Sequence, residues 1–360
     1  MHQKYEWLVN DKKFFNRRDC VLYCYNNNIN IGESTFYVPT LPSIVEEPEN
    51  LNLYAAAKPM IGEFKSYNKK LILMFSGGPD STLVLHCFLQ NGTAPDEIVV
   101  YTADMFNGKS PYNTYMVETE QAKKYLYALK EKYSALKNTK ITEITLDAAY
   151  CENIYNDINW TEKYYAMDFH VDSCTALFHH PLIDDDNSIF IRGGATPKIY
   201  VENNEFYAYY VDKQSGEAAA AQNRSVDFFT YNKEFFSAYV CSLVKNTPSY
   251  YTKEEGLTRS DENLLKFNIP EIKNNASSAP KTFPKGVDKT CSLKYPEDFV
   301  ARINTTNIKN WVLYLEACRL QPDWFDLYKK GIHHKKEWVE FFHSAPGTLS
   351  RPIQIKVSLT

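Results

Sequence analysis

Near residue 70 an apolar run breaks abruptly into a glycine turn and then resumes with a different period. The stretch reads Lys70-Leu71-Ile72-Leu73-Met74-Phe75-Ser76-Gly77-Gly78-Pro79-Asp80-Ser81-Thr82-Leu83-Val84-Leu85. Five apolar residues in a row suit a strand buried on both faces, and the apolar residues from Leu83 onward suit a buried helix. Between them, adjacent glycines take backbone angles closed to other residues and place no side chain between main-chain N–H groups and an incoming anion. Ser76, Ser81 and Thr82 add hydroxyl donors. A helix starting near Asp80 turns its positive dipole end to the same spot. The segment therefore predicts a strand–loop–helix unit that cradles the phosphates of a nucleotide.

The loop is not a Walker A motif, which needs Gly-x-x-x-x-Gly-Lys-Ser/Thr, because no lysine follows Gly78 at the required place. With Ser76, Gly77, Gly78, Asp80, Ser81 and Thr82 in strand–turn–helix context, the pattern resembles the signature of the PP-loop ATP pyrophosphatases. That superfamily includes asparagine, NAD and GMP synthetases, argininosuccinate synthetase, tRNA lysidine synthetase and the PAPS reductases. The resemblance implies an α/β fold of the adenine nucleotide alpha hydrolase type, a parallel sheet with helices on both faces. It also implies ATP and Mg²⁺ as cofactors, with Asp80 holding the metal. Asp80 also suits the first turn of a helix, and the two roles are compatible.

The flanking sequence alternates strand and helix as a parallel sheet requires. Strands are expected at Leu71–Phe75, Glu97–Thr102, Lys140–Leu146 and Ser188–Arg192, with helices at Ser81–Gln90, Thr114–Tyr133 and near Ser173–His180. Ligands of open parallel sheets sit beyond the carboxyl ends of the strands. Three features converge there: the Ser76–Thr82 loop, Asp104 after the second strand, and the turn Arg192-Gly193-Gly194 after the fourth. Asp104 is a candidate for a ribose hydroxyl or a metal. Arg192 and Lys198 are candidates for the phosphates, Lys198 in a catalytic role.

The order of these features is similar to the synthetase domain of asparagine synthetases and β-lactam synthetases, over roughly Lys69 to Tyr200. In that family the later loop reads Gly-x-Gly-x-Asp-Glu. Here Gly193-Gly194 is followed by Ala195-Thr196-Pro197-Lys198, without the acidic pair. The amino-terminal cysteine of a glutaminase domain is absent as well, since His2 follows Met1.

Three regions are expected: residues 1–67 as an N-terminal extension of short strands and loops, 68–232 as the ATP-binding α/β domain, and 233–360 as a mostly α-helical part. Helices near Phe235–Lys245 and Trp311–Tyr328 fall in the last of these, with a linker or loop at Asn274–Pro280. At 360 residues the chain is long enough for a well-buried core.

A net charge of −4 offers nucleic acid no general attraction, although a tRNA substrate stays open if a local basic face exists. The eight cysteines include no Cys-x-x-Cys pair, which suits reduced thiols and a cytoplasmic setting. Cys20 and Cys24, four apart, read as small apolar residues of one element. No secretory leader or membrane-spanning run is expected. His179-His180, Asp184-Asp185-Asp186 with Asp168, His170 and Asp172 upstream, and His333-His334 read as turns and helix ends more readily than as metal clusters.

The function implied by the resemblance is ATP-dependent adenylation of a small acceptor, followed by attack of an amine or ammonia, with a homodimer open as the assembly. A sulfur-transferring or PAPS-reductase-like enzyme is the alternative within the superfamily, for which nothing singles out Cys151 or Cys174 beyond proximity in sequence to the site. A nucleotide-binding protein that has lost catalysis is the alternative from another class.

Overall fold

The computed structural model of the chain describes residues 5–15, 17–29, 34–77, 79–104, 114–147, 150, 180–183, 186–193, 197–202, 205–210, 224–246 and 352–358. The first strands, β1 (Glu6–Val9) and β2 (Lys12–Phe14), form a hairpin. Its two-residue turn is Asn10-Asp11, both at positive φ (47° and 60°), the geometry whose twist matches a tight hairpin. After α1 (Arg17–Asn26), β3 (Thr35–Tyr37) pairs with the other edge of β1, completing a three-stranded antiparallel sheet. Trp7 is fully buried on Phe36, ring centroids 4.8 Å apart, and Cys20 and Cys24 of α1 are buried.

Next come β4 (Ile44–Glu46) and α2 (Leu53–Ser66). This helix stands where the prolines and polar residues of 1–67 predict only strands and loops. Asn52 caps it, its side-chain oxygen accepting from the N–H groups of Tyr54 and Ala55. Leu53, Ala57, Met60, Ile61 and Phe64 make a buried stripe at helical spacing, while Pro59 sits on the exposed side. Burial of one apolar face thus overrides the local effect of a proline.

The chain then enters the alternating part: β5 (Lys70–Met74), α3 (Pro79–Gln90), β6 (Glu97–Asp104), α4 (Thr114–Lys132), β7 (Lys140–Asp147) and β8 (Ser188–Arg192). All six lie within a few residues of their expected bounds. The antiparallel pair β9 (Lys198–Glu202) and β10 (Glu205–Tyr209) follows, then β11 (Ser225–Asp227), the short α5 (Phe228–Tyr231), α6 (Lys233–Asn246) and β12 (Ile353–Lys356). The expected helix near Phe235–Lys245 is α6. The expected elements at 173–179, 274–280 and 311–328 lie outside the described residues, as do Cys151, Cys174, Asp168, His170, Asp172, Asp184, Asp185, His333 and His334.

Five strands form one all-parallel sheet in the order β11-β8-β5-β6-β7, so the protein has an α/β fold. From β5 the chain steps outward through β6 to β7 and then returns to the opposite side of β5 as β8. The strand order therefore reverses between β5 and β8. Period-two alternation divides the apolar residues between the faces. Leu71, Leu73, Phe75, Ile98, Val100, Ile189 and Ile191 join the large core with α2, α3, α4 and α6, and Ile72, Met74, Val99, Ile144 and Phe190 join a smaller cluster with Ile183.

A second, four-stranded sheet has the order β4-β12-β10-β9, in which β12 lies between a strand from the start of the chain and one from its middle. The large core is continuous from Tyr5 to Ile355. Among the described residues, no helix is long and apolar enough to cross a membrane.

Candidate functional site

The carboxyl ends of β5 and β8 lie side by side at the reversal, and the glycine loop emerges from the first of them. Phe75 is buried and its N–H donates to the Val99 carbonyl, 2.9 Å, which holds the chain in the sheet up to the loop. Ser76 is exposed, and Gly77 then takes φ +74°, where a side chain would be strained. Pro79 opens α3, a position at which its missing N–H and fixed φ cost nothing. Asp80, half-buried, follows in the first turn, where an acidic side chain complements the helix dipole.

The hydroxyls divide into two roles. The Ser76 amide donates to Ser81 Oγ at 3.3 Å, the Ser76 and Ser81 hydroxyls are 3.2 Å apart, and Thr82 Oγ1 donates to the Gly77 carbonyl at 3.5 Å. Ser81 and Thr82 are buried and fasten the loop to its own helix, while Ser76 reaches solvent. All three are expected from the sequence as anion donors; in the fold Ser81 and Thr82 also brace the loop.

Gly193, just beyond β8, comes against the start of α3. A Cβ built there would lie 3.1 Å from the Asp80 carbonyl carbon, 3.1 Å from the Ser81 nitrogen and 3.2 Å from the Asp80 oxygen. Only glycine fits this approach without displacing backbone. Two stretches more than 100 residues apart thus meet at the reversal, as their positions at strand ends predict.

Arg192, expected to reach a phosphate, has a different placement. Its side chain is 4% exposed and its Nη2 lies 3.6 Å from Oδ2 of Asp227, likewise 4% exposed. The two are register partners, the last residues of β8 and β11. Tyr5, from the segment leading into β1, hydrogen-bonds Thr230 and feels the charges of both members of this pair. Burial pushes the Tyr5 hydroxyl well above its ordinary range. The Asp227 charge raises it further, while Arg192 and the Thr230 hydrogen bond oppose the shift, so Tyr5 stays protonated. Sequence reading missed Asp227, Tyr5 and Thr230, since Ser-Val-Asp is too short to announce a strand and nothing local ties Tyr5 to residues more than 180 positions away.

Asp104 ends β6, the neighbour of β5, opposite Asp147 of β7 in register. Lys198 opens β9 in the second sheet, opposite Tyr209 of β10. The side chains of Asp104 and Lys198, together with Gly78 and Gly194, lie outside the described residues.

Asp80 offers hard carboxylate oxygens at the positive end of a helix, a donor suited to Mg²⁺, which takes one or two carboxylates and otherwise water and phosphate oxygens. Among the described residues there is no group of three His, Cys, Asp or Glu that could enclose a metal. No protein-family model matches the chain, and no curated protein matches it at a significant level.

Proposed function

We propose that the protein is a PP-loop ATP pyrophosphatase that adenylates an oxygen of a small acceptor and passes the activated acceptor to an amine or ammonia. The fold that goes with this reading is the adenine nucleotide alpha hydrolase type, with helices on both faces of the parallel sheet. One observation carries it: the Ser76–Thr82 loop and the first turn of α3 occupy the reversal of a parallel sheet, with Gly193 pressed against their backbone. Main-chain N–H groups at a helix start and a glycine turn receive phosphate oxygens, and the reversal leaves room above them for a nucleotide.

In this reading the acceptor oxygen attacks the α-phosphorus, the bond from that phosphorus to the bridging oxygen breaks, and pyrophosphate departs. The nitrogen nucleophile then displaces AMP from the activated acceptor. The chain's own part is to bind and orient the β- and γ-phosphates through the loop amides and the Ser76 hydroxyl, rigidly enough that no reorganisation is needed as charge moves onto the leaving group. Asp80 would hold Mg²⁺, which when bound offsets the phosphate charge. Without it, a carboxylate at this anion site would repel the ligand.

The test is ATP turnover with Mg²⁺ and a pool of amino acids, ammonia and cell extract, the products separated. AMP with pyrophosphate is the expected result; ADP with phosphate would mean that the loop is misread. ATP binding without turnover would favour the second reading, a nucleotide-binding protein without catalysis, which the Ala195-Thr196-Pro197-Lys198 sequence in place of an acidic pair supports.

A further inference from the structure

We infer that the buried Arg192–Asp227 pair, with Tyr5 close by, positions the phosphate loop by fixing the end of β8 so that Gly193 braces the first turn of α3. The inference rests on the nucleotide-binding reading and assigns Arg192, Asp227 and Tyr5 as positioning residues within it.

Both charges of the pair are 4% exposed, and removing two such groups from water is unfavourable before their attraction offsets any of it. Buried pairs of this kind are weak contributors to stability relative to apolar residues, and their better-supported use is to select one geometry. Here the geometry selected is the strand end that carries Gly193. Arg192 and Asp227 are locked in register on adjacent strands, and the residue after Arg192 already stands in tight contact with the Asp80 and Ser81 backbone. Movement at the end of β8 has no slack to absorb it and passes directly into the helix start.

Tyr5 extends the arrangement to the N-terminal sheet. It is buried, stacks on Phe36 at 5.6 Å, hydrogen-bonds Thr230 and lies within the electrostatic reach of the ion pair. Phe36 in turn sits edge-on to Tyr210 at 5.3 Å, and Tyr210 Oη accepts the Val38 N–H at 2.8 Å. The three-stranded sheet is therefore linked to the neighbourhood of the pair through Tyr5, which gives that sheet a role at the loop without touching the ligand.

The experiment uses the full chain and three variants, Asp227→Asn, Arg192→Lys and Tyr5→Phe, with two readouts. One is calorimetric titration with ATP and Mg²⁺; the other is amide hydrogen exchange across 76–85 without nucleotide. In Asp227→Asn, ATP affinity is expected to fall about tenfold, the scale on which partners that orient contacting groups act, and exchange at 80–83 to accelerate more than in the rest of α3. Tyr5→Phe is expected to shift both readouts the same way and less.

If Arg192 instead contacts phosphate, Asp227→Asn frees it and binding holds or tightens while Arg192→Lys weakens, which overturns the inference. A melting temperature that falls with both readouts unchanged overturns it too. Should the wild-type chain bind no ATP, the nucleotide reading fails alone, and faster exchange at 80–83 in the variants still upholds positioning. If Asp227→Asn does not fold, Tyr5→Phe removes a single oxygen and carries the same two readouts.

Discussion

The two ends of the parallel sheet each bury charge and use it differently. At the amino end, Glu97 of β6 is fully buried and met by Lys70 of β5 at 2.5 Å, Lys140 of β7 at 3.1 Å and the Thr142 hydroxyl. Asp96 beside it accepts the Leu71 N–H at 2.8 Å. Every partner there comes from three adjacent strands, and both lysines reach solvent. At the carboxyl end, the Arg192–Asp227 pair is closed off from water, its oppositely charged atoms stand farther apart, and a distant segment brings Tyr5 to it. Beside it lie an exposed serine, a glycine at positive φ and a glycine without space for a Cβ. A buried charge alone says little about function. What separates the ends is that one settles its charge locally while the other spends structural order on an open backbone surface.

That contrast can be broken at either end. Asp80→Asn should lower AMP formation about a hundredfold or more, the scale of groups that stabilise transition-state charge, with little change in melting temperature. Wild-type turnover in that variant would remove Asp80 from the chemistry. Lys70→Met should do the reverse at the amino end. Leaving Glu97 with only Lys140 and Thr142 costs about 2 kcal/mol of stability by urea unfolding, with ATP affinity unchanged.

Gly193→Ala should return the effect to the carboxyl end, with ATP affinity down about tenfold because the helix start must give way by a few tenths of an ångström. Equal affinity would show that the close approach is incidental.

The smallest effect is on pH dependence. Burial pushes the Glu97 carboxyl up, but hydrogen bonds from Lys70, Thr142 and Lys140 outweigh it and hold it below the usual carboxylate range. A lowered folded-state value contributes stability above the unfolded value, near 4.3, and loses it as pH falls through the folded one. The stability difference between wild type and Glu97→Gln should therefore narrow as pH drops from 6 to 3.

The sequence was most legible where order is local. β5 to β8, α3 and α4 were readable because apolar runs, glycines and helix formers act within a few residues. α2 was not, because Pro59 and its neighbours signal a break that only the buried Leu53–Phe64 stripe overrides. β11 was not, because three residues with a serine and an aspartate carry no period at all. In the site, Gly77 and Asp80 could be read directly, whereas the roles of Ser81, Thr82 and Arg192 depend on which neighbour each hydroxyl or guanidinium meets. Those neighbours, Asp227 and Tyr5 above all, are set by packing between distant segments.

The place of β12 has a consequence for how the chain is made. Residues 44–46 and 205–209 both pair with residues 353–356, so the four-stranded sheet cannot close while the ribosome still holds β12. Closing so long a span costs little more than a short one, about 0.6 kcal/mol for each doubling of length, yet long-range pairing of this kind is slow. The nascent protein must therefore wait with β4 unpartnered and an edge of β10 open, and a chain cut short before Ile353 would keep both edges exposed for as long as it lasted.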